Sequence, residues 1–142
     1  MKWFPSLLLM GALSMGACQG QSAESSSTAT TEASASFQNV QVAGAQGMIS
    51  SGEHVLIDVR TPGEFAEAHI DGATMIDING ADFEAGIAAL DKSKSYVVIC
   101  RSGGRSARAS QYMIDRGFQK VTNVEGGMNA WLASGYPSVS GQ

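Results

Sequence analysis

Residues 100–106 read CRSGGRS and directly follow the apolar run YVVI. A cysteine attacks as its thiolate, and an ordinary thiol titrates near pH 8.5, about a unit and a half above neutrality. A helix N-terminus and neighbouring arginines both favour the anion, and Cys100 has Arg101 and Arg105 beside it, with helical spacing resuming just downstream. Gly103 and Gly104 are free to take positive φ, so the chain can curl back and aim successive backbone N–H groups at one spot. Ser102 lies within that curl, and Ser106 is placed either to donate to the sulfur or to cap the following helix. Such a nest suits a thiolate, a persulfide or an oxyanion, and the guanidiniums of Arg101 and Arg105 suit sulfonate or phosphate oxygens.

Three chemistries compete for this loop. A cysteine after a strand is ordinarily a small core residue, but the Arg, Gly and Ser neighbours turn the reading toward catalysis. Cysteine-dependent phosphatases carry C-x5-R, with arginine six residues after the nucleophile; that position here is Ser106, while Arg105 comes five residues after Cys100. The shorter cradle is expected to close on a sulfur atom more readily than on a phosphoryl group. A non-catalytic anion-binding or sulfide-sensing module could use the same nest without turnover. The Walker arrangement G-x-x-x-x-G-K-[ST] is missing, which removes a nucleotide loop.

The elements that must position Cys100 alternate from residue 37 onward. Runs 37–42, 54–59, 73–78, 95–100 and 120–124 read as strands, and 43–52, 62–68, 82–90, 105–117 and 126–135 as helices, an α/β signature. HVLIDV and SYVVIC are continuous apolar runs, as in parallel strands buried on both faces. The second delivers Cys100 to a strand's C-terminal end, the edge where open α/β sheets bind ligands. TPGE reads as a capping box, with Thr61 as N-cap, Pro62 at the first helical position and Glu64 reaching back. Ala109, Tyr112 and Met113 fall on one helical face, as do Phe83, Ile87 and Leu90.

With these elements in place, the chain resembles the rhodanese-like sulfurtransferases over nearly all of residues 37–137. VLIDVRTPGEFAEAHIDGA resembles the family's first motif, CRSGGRS its active-site loop and VTNVEGGMNAW its closing segment. Asp71 departs from the proline that many members carry after the isoleucine. The resemblance implies a five-stranded, mainly parallel sheet flanked by helices on both faces, with Cys100 carrying sulfane sulfur. It further implies a small-molecule donor such as thiosulfate, and an acceptor such as cyanide, a thiol or a thiol protein, with no metal or organic cofactor. Asp58 and Arg60 are expected to form a structural ion pair, His69 to serve structure, and Trp131 to anchor the core.

The rest of the chain addresses location. The single charge Lys2 and an uncharged stretch from Trp3 to Ala17 fit a secretory signal over residues 1–17, since a membrane span needs about 20 apolar residues. MGAC resembles the lipobox of bacterial lipoproteins, which would make Cys18 a lipidated first residue, anchoring the protein to a membrane in the periplasm, the outer membrane in a Gram-negative cell. Residues 18–36, mostly Ser, Thr and Ala, cannot bury enough apolar surface to offset ordering entropy, and read as a tether reaching roughly 20–25 Å. Residues 37–142 then form one domain, as 44% apolar and 15% charged residues suggest. The net charge of −4 argues against a nucleic-acid surface. Cys18 and Cys100 lack C-x-x-C spacing, and His54 and His69 are the only histidines, so a structural metal site is not expected.

Overall fold

In the computed structural model, residues 35–141 are described; the expected signal segment, Cys18 and nearly all of the tether lie outside that range. The element order is β1 (Gln38–Val40), α1 (Val42–Ser50), β2 (His54–Asp58), α2 (Pro62–Glu67), β3 (Thr74–Met75), α3 (Phe83–Ala88), β4 (Ser95–Ile99), α4 (Gly104–Asp115), β5 (Lys120–Val124) and α5 (Gly127–Ala133). All five strands pair in parallel in the order β1-β5-β4-β2-β3. The chain thus has the expected α/β architecture, with β4 at the centre.

Alternation along β4 divides the core. Tyr96, Val98 and Cys100 point to one face with Ile57, Val59, Phe83, Ile87, Ala109, Met113 and Phe118. Val97 and Ile99 point to the other with Val42, Ala45, Leu56, Val124, Met128 and Trp131. Side chains of successive strand residues leave on opposite sides of the pleat, so α3 and α4 cover the first face, and α1 and α5 the second. Each large apolar side chain so buried contributes about 1.5–3 kcal/mol. Trp131 anchors the second face, as expected, and satisfies its indole by donating to the Pro137 carbonyl at 2.9 Å.

Two strands are markedly shorter than their sequence suggests. The strand expected over 73–78 pairs only as Thr74–Met75; Ile76 and Ile78 still donate to Asp58 and Val59 carbonyls, but Asp77 turns the chain by accepting from the N–H groups of Asn79 and Gly80. The first strand spans Gln38–Val40, because Val42 already opens α1 with its side chain buried.

Candidate active site

Cys100 follows the last residue of β4, and the loop Arg101–Gly103 leads into the N-terminus of the twelve-residue α4. The loops leaving β4 and β5 run to helices on opposite faces, which opens the C-terminal sheet edge between them. Gly103 holds φ +100, the left-handed turn that curls the loop back. Gly104 does not share it: the expected pair of left-handed glycines is a single one, since Gly104 already begins the helix. One reversal suffices to bring the helix N-terminus over the sulfur.

The curl aims its donors at Cys100. The Gly103 N–H lies 3.1 Å from Sγ and the Ser106 hydroxyl 3.3 Å away. That hydroxyl also lies 3.1 Å from the Gly103 carbonyl, so its one proton is shared between the sulfur and that oxygen. Burial, the largest influence, opposes the thiolate; the Ser106 hydroxyl, with the backbone N–H groups of Ser106, Ser102 and Gly103, outweighs it and holds the thiol below its usual value. Cys100 is 0% exposed, while Arg101, Ser102 and Gly104 around it are exposed.

The loop is supported from behind by a contact the sequence did not signal. Met128 donates its N–H to the Cys100 carbonyl at 2.8 Å, and Asn129 to the Arg101 carbonyl at 3.0 Å. With their carbonyls drawn to the start of α5, the peptides of the loop have their N–H groups turned toward the sulfur side. Gly127 makes the approach possible, since a Cβ there would stand 2.3 Å from the Cys100 oxygen.

The two loop arginines differ. Arg101 is exposed and makes no side-chain hydrogen bond or ion pair among the described residues. Arg105, expected beside it as a second open guanidinium, is engaged: its Nη1 and Nη2 donate to Glu64 Oε2 and Oε1 at 2.7 and 2.6 Å. Glu64 also completes the expected capping box, accepting from the Thr61 N–H at 3.2 Å and hydroxyl at 3.0 Å. One carboxylate therefore joins the start of α2 to the active-site loop, and Arg105, foremost, lowers its pKa to about 2.

Asp58 and Arg60 form the expected ion pair. Both are buried, with Nη2 2.7 Å from Oδ2, and Arg60 also donates to the Glu64 and Ala68 carbonyls. The guanidinium thus closes the C-terminal end of α2. His69 serves structure, stacked on Phe65 with Nδ1 2.9 Å from the Phe65 carbonyl. Asp71 occupies an exposed turn position.

Comparison with known proteins places this geometry. A family model described as the rhodanese-like domain matches residues 41–134. The chain belongs to the rhodanese-like domain family. A thiosulfate sulfurtransferase, GlpE of Pseudomonas aeruginosa, is 38% identical over 103 residues, 72% of this chain and 89% of the relative. The mitochondrial Protein HIGH ARSENIC CONTENT 1 of Arabidopsis thaliana is 32% identical over 109 residues, and the chain spans 64% of its length and 70% of its own. The crystal structure of a rhodanese-related protein from Thermoplasma volcanium superposes with a TM-score of 0.65 at 31% identity, covering 72% of this chain and 98% of that one. At the level of family, relatives named as sulfurtransferases support a rhodanese-type transferase.

Proposed function

We propose that the protein moves sulfane sulfur by a ping-pong reaction through a Cys100 persulfide. The Cys100 thiolate attacks the outer sulfur of a donor such as thiosulfate, the S–S bond breaks with its electron pair on the departing sulfite, and a persulfide remains on Sγ. The N–H groups of Ser102, Gly103 and Ser106 then stabilise the terminal sulfur anion as they do the thiolate. A thiophilic acceptor, cyanide or a thiol, removes that sulfur and regenerates the thiolate. The observation that carries this reading is the convergence of the Gly103 N–H and the Ser106 hydroxyl on Sγ at 3.1 and 3.3 Å. No step calls on a metal or organic cofactor.

Intact-mass spectrometry tests it. Thiosulfate should add one sulfur to Cys100, cyanide should remove it, and thiocyanate should appear in equal amount. Retention of full activity by Cys100→Ser would overturn the mechanism. A sulfide-sensing module would instead gain the sulfur and keep it when acceptor is supplied.

The location belongs to the same proposal. Cys18, within MGAC, is the lipidated first residue of the mature chain, and residues 18–36 tether the domain to a periplasmic membrane face. A mature mass beginning at an unmodified residue would refute the anchor.

A further inference from the structure

Around Cys100 the charges are more nearly balanced than the two loop arginines suggest. The Arg105 guanidinium meets both oxygens of Glu64, and Glu64 is itself held in place by the Thr61 N–H and hydroxyl. The pair is part-buried, with side chains 22% and 24% exposed. Arg105 lies near enough to Cys100 and Asp77 for both to favour its charged form, after the larger effect of Glu64. Counting the thiolate, the site holds Arg101 and Arg105 against Glu64 and Cys100, with the Asp77 carboxylate nearby. Of these two arginines, Arg101 is the one left unpaired among the described residues to draw in an anion.

Thiosulfate is a demanding donor for such a site. Thiolate and thiosulfate together bring three negative charges, and the products, a persulfide anion and sulfite, still carry three. An organic persulfide asks for less: Cys–S⁻ and R–S–S⁻ give Cys–S–S⁻ and R–S⁻, two negative charges throughout. The S–S bond of the donor breaks with its electron pair on R–S⁻, and a new one forms at Sγ.

We propose that Glu64 is a positioning residue that sets donor preference, neutralising Arg105 so that the Cys100 loop favours neutral or singly charged persulfide donors over dianionic ones. This rests on the sulfur-transfer reading and names its donor class. The capping box gives the device its rigidity, because a carboxylate fixed at the start of α2 stays opposite Arg105 while donors come and go.

The test is single-turnover loading of Cys100 in the full chain, followed by intact mass, with thiosulfate and with cysteine persulfide as donors. The wild type should reach half-saturation at a lower concentration of cysteine persulfide than of thiosulfate. Glu64→Gln, which releases the charge of Arg105, should lower the half-saturating thiosulfate concentration about tenfold, leave that for cysteine persulfide within about twofold, and leave the limiting rate unchanged. Glu64→Asp, which keeps the charge, should restore the wild-type preference. An unchanged thiosulfate value in a folded Glu64→Gln protein, or an equal shift for both donors, would overturn the proposal. Salt provides a measurement that needs no variant: the wild-type thiosulfate value should stay flat or fall as ionic strength rises, whereas a steep rise would mark two open arginines and refute it. Absence of loading from either donor would instead refute the sulfur-transfer reading itself.

Discussion

Gly127 lies against the backbone of Cys100 so closely that a methyl group on its α carbon would meet the Cys100 carbonyl oxygen at 2.3 Å and the Arg101 carbonyl carbon at 2.7 Å. The contact involves backbone on both sides, so it cannot relax by turning a side chain. It lets the Met128 and Asn129 N–H groups reach the loop carbonyls. The Cys100 loop is thus shaped by a glycine 27 residues downstream as well as by its own.

Gly127→Ala should therefore damage stability and activity together. Its φ of +53 disfavours a side chain by about 1–2 kcal/mol, and the overlap adds about 1–3 kcal/mol. Denaturant unfolding should show a lower midpoint with an unchanged slope, and Cys100 should load sulfur more slowly in the fraction that remains folded.

Ser106→Ala should move the pH dependence of sulfur loading without removing it. The hydroxyl is the largest influence favouring the thiolate, against a burial that opposes it. Its loss raises the thiol pKa, so the acid limb of the loading rate should shift to higher pH while the plateau above it persists. Titration of the thiolate by ultraviolet absorbance should show the same upward shift, and no shift would mean that the backbone N–H groups alone set it.

The Glu64 carboxyl, lowered from 4.5 to about 2 first by the hydrogen bonds of Arg105, against burial as the next-largest influence and with further help from the hydrogen bonds of Thr61, couples folding to pH. A carboxyl whose folded pKa is depressed stabilises the fold above its unfolded value and loses that contribution as pH falls through the folded one. The stabilisation should be complete above about pH 4.5 and disappear toward pH 2. Because the pair is open to water on one side, about 1 kcal/mol is expected. Unfolding free energies of wild type and Glu64→Gln should converge across that window.

Arg60→Met should destabilise the fold by about 3–5 kcal/mol, since it leaves the Asp58 carboxylate buried and unpaired. Replacing both residues, with Asp58→Leu added, should recover much of the loss. A double-mutant cycle by denaturant unfolding measures the difference, and additive single effects would mean that the pair is not coupled.

Much of the site was legible in local sequence. The alternation of SYVVIC places Cys100 on the face that α4 covers, and TPGE announces a capping box that closes within three residues. Ser106, the residue that stands where a phosphatase would carry arginine, was expected to donate to the sulfur or to cap the helix; its hydroxyl reaches the sulfur and the Gly103 carbonyl, and α4 has no side-chain cap. The left-handed turn was read as belonging to two glycines, and only Gly103 takes it, because a single residue completes the reversal before helical hydrogen bonds begin.

By itself, the sequence determined the α/β order, the place of Cys100 at the end of its strand and the hydrogen-bond donors that follow it, because pattern, capping and turn chemistry act over a few residues. Tertiary structure decided what lies opposite those groups. Glu64 meets Arg105 across 41 positions, and Asn129 meets the Arg101 carbonyl from the next loop of the sheet. Neither pairing leaves a periodic trace, since each depends on which strands become neighbours and how their loops cross the sheet edge. The charge around Cys100 is a property of that assembly.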